Sequence, residues 1–191
     1  MEADWEVEIG PGAPIIDASW AGLVDLRQRP ELAPGLPEVD ALPGLAEGLM
    51  RLNGAGSPVW TAKCDVWVVP NADELDPYEL DADPGSVAAA AACYIDLLPG
   101  ASGPWSEPET AATWCRRFCD QLSSAKLSNC RVDLIVRRAV MALETDVLES
   151  GSVGITAYLT ACGGTEEEAN QMLGRALRAF TGALAGDSTL K

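Results

Sequence analysis

Residues 130–137 read CRVDLIVR and residues 153–162 read VGITAYLTAC. In both, apolar and polar side chains alternate, the period of a strand that turns one face to a core. Cys130, Val132, Leu134 and Val136 form one set, and Arg131, Asp133, Ile135 and Arg137 form the other. In the second segment Val153, Ile155, Ala157 and Leu159 oppose Thr156, Tyr158 and Thr160. The two read as a strand pair that can lengthen towards Ala142. Directly afterwards Thr165 and Glu168 stand at capping-box spacing, and Ala169, Met172, Leu173, Ala176, Leu177, Phe180 and Leu184 recur on one helical face up to Gly186.

The same order of elements occurs upstream. Val59 to Val69 alternates, a loop from Pro70 to Ser86 concentrates acidic residues, and Val87 to Leu98 reads as a second strand. Ser106 with Glu109 suggests a capping box for a helix whose apolar face is Ala111, Cys115, Phe118, Cys119 and Leu122. A strand–strand–helix unit is therefore expected twice, at 57–125 and 130–185. Before them a short helix opens near Pro43, presents Leu45, Leu49 and Leu52, and stops at Asn53-Gly54. Pro11, Pro14, Pro30, Pro34, Pro37 and Pro43 exclude a long helix further upstream, because each removes a backbone donor and restricts its predecessor. That stretch reads as an extended wrap pinned by Trp5, Ile15, Ile16 and Trp20, after a short strand from Asp4 to Ile9. The expectation is an α+β fold: an antiparallel or mixed sheet of about five strands, three helices packed on one face, and a proline-rich N-terminal arm. One domain spans 1–191, with the arm over 1–43 and the core over 44–191. The other sheet face is then free.

Composition removes many functions. Histidine is absent, so the usual general base, the commonest metal ligand and the usual partner of a nucleophilic Ser or Cys cannot be built. The 29 acidic against 13 basic residues leave a net charge of −16, which opposes binding to nucleic-acid phosphates and to anionic membranes and favours basic partners. The start of the chain has no signal-peptide pattern and no apolar run approaches a bilayer's thickness, so a cytoplasmic protein is expected. The six cysteines are expected to be reduced. Cys64, Cys93, Cys130, Cys115 and Cys119 all fall on apolar faces, where Cys packs as a small hydrophobe.

The polar strand sets carry the candidate site. Lys63, Asp65 and Trp67, then Tyr94 and Asp96, then Arg131, Asp133 and Arg137, then Tyr158, fall on the face opposite the apolar sets, with Glu6 and Glu8 less securely placed. Aspartate is depleted inside strands, and aromatics interleaved with charges of both signs describe a recognition or dimerisation face. The leading expectation is a non-catalytic binding, scaffold or chaperone-like protein. That face would hold a protein partner or a second copy as a homodimer, with no cofactor and no nucleic acid. The alternative is a divalent-metal enzyme using Asp65, Asp96 and Asp133 on a small phosphorylated or carboxylated substrate. Against it, Lys63, Arg131 and Arg137 are placed to neutralise those carboxylates in cross-strand pairs, and no phosphate-binding loop is present. An acidic mimic of nucleic acid is a third reading. The loop acids Asp73, Glu74, Asp76, Glu79, Asp81 and Asp83 lack the order of a calcium loop and read as solvated, or as a dock for a basic segment.

In element order alone, the run from about residue 40 to the C-terminus resembles the small acidic dimeric chaperones of type III secretion. The resemblance implies binding of a protein segment, with an open sheet face or a helix mediating a dimer. The proline-rich arm and the N-terminal strand depart from that pattern.

Overall fold

A computed structural model describes residues 1–10, 14–17, 23–142 and 148–186. Their strands are β1 (Glu2–Glu8), β2 (Ile15–Asp17), β3 (Val59–Val68), β4 (Ala89–Pro99), β5 (Cys130–Ala142) and β6 (Leu148–Gly163). The helices are α1 (Leu45–Leu52), α2 (Pro108–Ser123) and α3 (Glu166–Gly186). The strands form one mixed sheet in the order β1–β5–β6–β4–β3, with β2 continuing beside β5. β1 and β2 run parallel to β5, and the remaining pairs are antiparallel. This is the expected α+β architecture, with β2 as an additional strand.

Alternation decides which face is dry. Ala91, Cys93, Ile95 and Leu97 of β4, Val132, Leu134 and Val136 of β5, and Ile155, Ala157 and Leu159 of β6 all lie in the main core. α2 closes it with Ala111, Trp114, Cys115, Phe118 and Leu122, and α3 with Leu173, Ala176, Leu177, Phe180 and Leu184. Trp105, Trp114, Phe118 and Phe180 form a continuous aromatic run through this layer, with ring centroids 4.8, 4.6 and 5.5 Å apart. The Trp105 indole donates to the Val153 carbonyl at 2.9 Å, so its one polar atom is satisfied in the interior. α1 reaches the core by lying close on α3: a Cβ at Gly48 would meet Thr181 Cγ2 at 3.3 Å.

The arm departs from the expected extended wrap by forming two short 3₁₀ turns, Pro30–Gly35 and Pro37–Asp40, each with proline in its first turn. Leu26, Ala33 and Leu42 are buried with α1 on the helix side of the sheet. Of the residues expected to pin it, Trp5 packs on the core and Ile15 is buried, Ile16 is exposed, and Trp20 lies outside the described residues. The α2 cap sits one residue later than expected. Glu107 precedes Pro108, and Thr110 Oγ1 accepts from the Glu107 N–H at 3.1 Å. The α3 cap is the expected one, the Glu168 N–H donating to Thr165 Oγ1 at 3.2 Å.

Candidate functional site

Strand register places eight of the nine candidate residues, all but Lys63, on the face the helices leave uncovered. One row crosses the sheet as Asp65, Tyr94, Tyr158, Asp133 and Asp4, each opposite the next on the neighbouring strand. The row on one side contains Trp67, Ala92, Thr160, Arg131 and Glu2. On the other side stand Asp96, Thr156, Ile135 and Glu6, and beyond them Leu98, Gly154, Arg137 and Glu8. Lys63 sits at the β3 irregularity beside Asp96, whose carboxylate it helps to stabilise.

The centre is aromatic. Trp67 and Tyr94 have ring centroids 6.3 Å apart, and Tyr94 and Tyr158 6.0 Å apart, both tilted. Burial first, then Asp96 and Asp65, push the Tyr94 hydroxyl up, so it stays a neutral donor. Charge surrounds this centre. Arg131 is shared by three carboxylates: Asp133 at 2.7 Å, Glu79 at 3.1 Å and Asp4 at 3.9 Å. Burial lifts the Asp133 carboxyl above its ordinary value even though Arg131 pulls it down, and Asp4 and Glu79 add to the rise. Arg137 pairs with Glu8 at 3.1 Å and stands 5.9 Å over the Tyr158 ring. Asp96 is buried and accepts from the Thr156 hydroxyl at 2.6 Å. Its carboxyl is raised by burial, against the pull of Thr156, Lys63 and Arg137. The neutralising pattern thus differs from the expected cross-strand pairs: Arg131 bonds Asp133 on its own strand, Thr156 holds Asp96, and Asp65 accepts from the Val66 N–H.

Both ends of the face are bounded. At one, Ala72 and Leu80 of the acidic loop pack on Ala90 and Cys162, so that loop is docked on the sheet rather than merely solvated. At the other, Ile15 of β2 seats on Leu98 and Ala139, and a Cβ at Gly154 would come within 2.6 Å of Ile15 Cδ1. Trp60 and Ala62 belong to this second cluster, with Arg27 4.5 Å over the Trp60 ring. Alternation counted back from Cys64 and Val66 places Trp60 and Ala62 on the helix side, contrary to the structure. The irregularity between Thr61 and Cys64 inverts the parity, so Thr61 turns inward to Asn53 while Cys64 and Val66 pack on the main core. Beyond β1, the arm reaches the open face at this rim, where Arg27 stands over Trp60, and Val24, Leu26, Leu36 and Glu38 line a groove that Tyr94 also lines.

Each free sheet edge carries an aspartate folded back on the chain. Asp4 accepts from the Trp5 N–H at 2.7 Å on β1, and Asp65 from the Val66 N–H at 2.8 Å on β3. An edge amide already bonded, with a charge beside it, is a poor template for a further strand. The face rather than the edges is therefore the accessible surface.

The carboxylates of Asp65, Asp96 and Asp133 do not converge. Asp65 and Asp133 lie three strands apart, roughly 14 Å, and Asp96 and Asp133 two strands apart, roughly 10 Å. Among the described residues no three potential ligands gather as a metal site. The cysteines are free thiols. Burial pushes Cys64, Cys93 and Cys119 up to about 12 and Cys130 to about 11, so they remain protonated packing residues. A groove of about 470 Å³ opens at the β3 irregularity between Leu26, Leu36 and Leu49 on one side and Thr61, Lys63 and Tyr94 on the other. Two smaller hollows, about 310 and 290 Å³, flank Arg131. The first is lined by Asp4, Glu6, Asp133 and Tyr158, and the second by Glu2, Asp4, Glu79 and the exposed Tyr78.

Sequence reasoning missed Glu2, Asp4, Tyr78 and Glu79 as members of this surface. The strict alternation of Glu2, Asp4, Glu6 and Glu8 was a usable signal for the first two, whereas nothing in the loop's composition shows that it folds onto β5. No protein family, no curated protein and no solved structure matches this chain. The likeness to secretion chaperones stands on element order alone. No helix among the described residues is long and apolar enough to cross a membrane.

Proposed function

We propose that this chain is a non-catalytic protein-binding module, scaffold or chaperone-like in kind, that holds a partner segment against its uncovered sheet face. One observation carries the reading: Trp67, Tyr94 and Tyr158 touch in sequence across three neighbouring strands on the face opposite the helices, with Arg131 and Arg137 beside them. Binding energy at interfaces concentrates in Trp, Tyr and Arg anchors, and anchors on strands backed by a packed core need little ordering on binding. The acidic-mimic reading has one row to stand on, Glu2, Asp4, Glu6 and Glu8. Arg131 and Arg137 pair with alternate members of it, Asp4 and Glu8, which a ladder of phosphates would not have.

The test is selection of short peptides from a displayed random library, followed by affinity measurement against Trp67→Ala/Tyr94→Ala. The double variant should still unfold cooperatively and should lose binding. Unchanged affinity in a folded double variant overturns the reading.

A further inference from the structure

The charges around the aromatic centre are unbalanced in a way that describes the occupant. Among the described residues, the face and its rim carry the carboxylates of Glu2, Asp4, Glu6, Glu8, Asp25, Asp65, Glu79, Asp96 and Asp133 against the cations Arg27, Lys63, Arg131 and Arg137. Arg131 is divided among three carboxylates, and among the described residues no cation comes within ion-pair distance of Glu2, Glu6 or Asp65. The row Asp65, Tyr94, Tyr158, Asp133, Asp4 therefore has an apolar middle and an acidic end on each side. Face to face, a second copy of this chain would bring the same surplus of negative charge and would not complement it.

Resting on the binding-face reading above, we propose that the occupant is an extended segment lying across the strands, with apolar residues on Tyr94 and Tyr158 and a Lys or Arg at each end. One cation meets Asp65. The other enters the hollow beside Arg131, where Glu2, Asp4 and Glu79 converge and Tyr78 stands at the rim. Four strand steps separate Asp65 from Asp4, roughly 19 Å, which about six residues of extended chain cover. The two basic positions therefore lie about six residues apart. Aromatic faces add to the attraction for a cation, and the ionic part weakens as salt rises.

The probe is the set of peptides selected from the displayed random library, each also synthesised with its Lys and Arg replaced by Gln. Asp4→Asn/Glu79→Gln and Asp65→Asn keep the hydrogen-bonding shapes and remove the charges. Each variant should weaken the basic peptides by about fivefold, the three substitutions together by more than tenfold, with a shallower salt dependence. The Gln peptides should bind the wild type more weakly and be indifferent to the charge variants. Selected peptides without paired basic residues, or affinities unmoved by the charge variants, overturn this inference. If Trp67→Ala/Tyr94→Ala still abolishes binding in that case, the face remains the binding surface and only the cationic occupant is wrong. If that variant also binds normally, or if nothing is retained on the wild type, both readings fail together.

Discussion

The molecule contains two aromatic runs on opposite sides of one sheet. Trp105, Trp114, Phe118 and Phe180 lie between sheet and helices, with centroids 4.6–5.5 Å apart and all four rings buried. Trp67, Tyr94 and Tyr158 lie on the other side, 6.0–6.3 Å apart, with Trp67 37% exposed. The first run is packed among apolar side chains and thiols that burial keeps protonated, and the Trp105 indole N–H donates to a carbonyl. The second is ringed by carboxylates and guanidinium groups. The spacings are similar, so the neighbours make the difference: apolar neighbours make the buried run a source of stability, and charged neighbours leave the exposed run open to a partner.

That contrast can be broken most severely from the buried side. Phe118→Ala opens a cavity between two aromatic neighbours and should lower unfolding free energy by about 3–5 kcal/mol, read from urea titration. Gly154→Ala should cost about 1–3 kcal/mol, because its methyl group would collide with Ile15 and the end of the open face would have to shift. A neutral result there would mean that β2 does not seat on the sheet as described. Trp67→Ala should cost only about 1 kcal/mol, the loss of one tilted ring pair and part of a ring's burial. A loss as large as that of Phe118→Ala would show that the exposed run is core after all.

Asp96→Asn has the opposite sign. Burial raises the folded carboxyl above its ordinary value of 3.8. Between 3.8 and that raised value the folded chain binds more protons than the unfolded one, so stability rises as pH falls through this window. Above the window the buried carboxylate is a constant cost. The amide removes the cost and can still accept from the Thr156 hydroxyl, so melting at neutral pH should move upward and the pH dependence flatten. A lower melting temperature at neutral pH would mean that the ionised form is favoured by its neighbours. The smallest effect on folding is expected for Asp4→Ala/Asp65→Ala, which uncovers one amide on each edge strand. Folding stability should change little, while light scattering should report concentration-dependent association. A chain that stays unassociated would show that these aspartates do not guard the edges.

The strands' alternation was enough to find the uncovered face, because Asp65, Tyr94, Asp96, Asp133 and Tyr158 stand on it in strands whose parity runs unbroken through them. Parity failed where the chain gains a residue. Thr61-Ala62-Lys63 carries the polar–apolar alternation straight through the irregularity, so nothing in the sequence marks it and alternation alone puts Trp60 on the wrong side. Trp105 sits in a Gly- and Pro-containing loop with no period at all, and its place in the core follows from tertiary packing alone. The same is true of Leu80 and Glu79: one folds the acidic loop onto β4 and β6 while the other bonds Arg131, contacts between distant segments that no local pattern announces.

The most direct measurement of the central claim is amide chemical-shift mapping of the labelled protein titrated with a selected basic peptide. Shifts confined to Glu2–Asp4, Asp65–Trp67, Tyr78–Glu79, Tyr94–Asp96, Arg131–Asp133 and Thr156–Thr160 are the predicted result. Shifts centred on α2 and α3, or on Leu26 and Leu36 at the β3 groove, would contradict it.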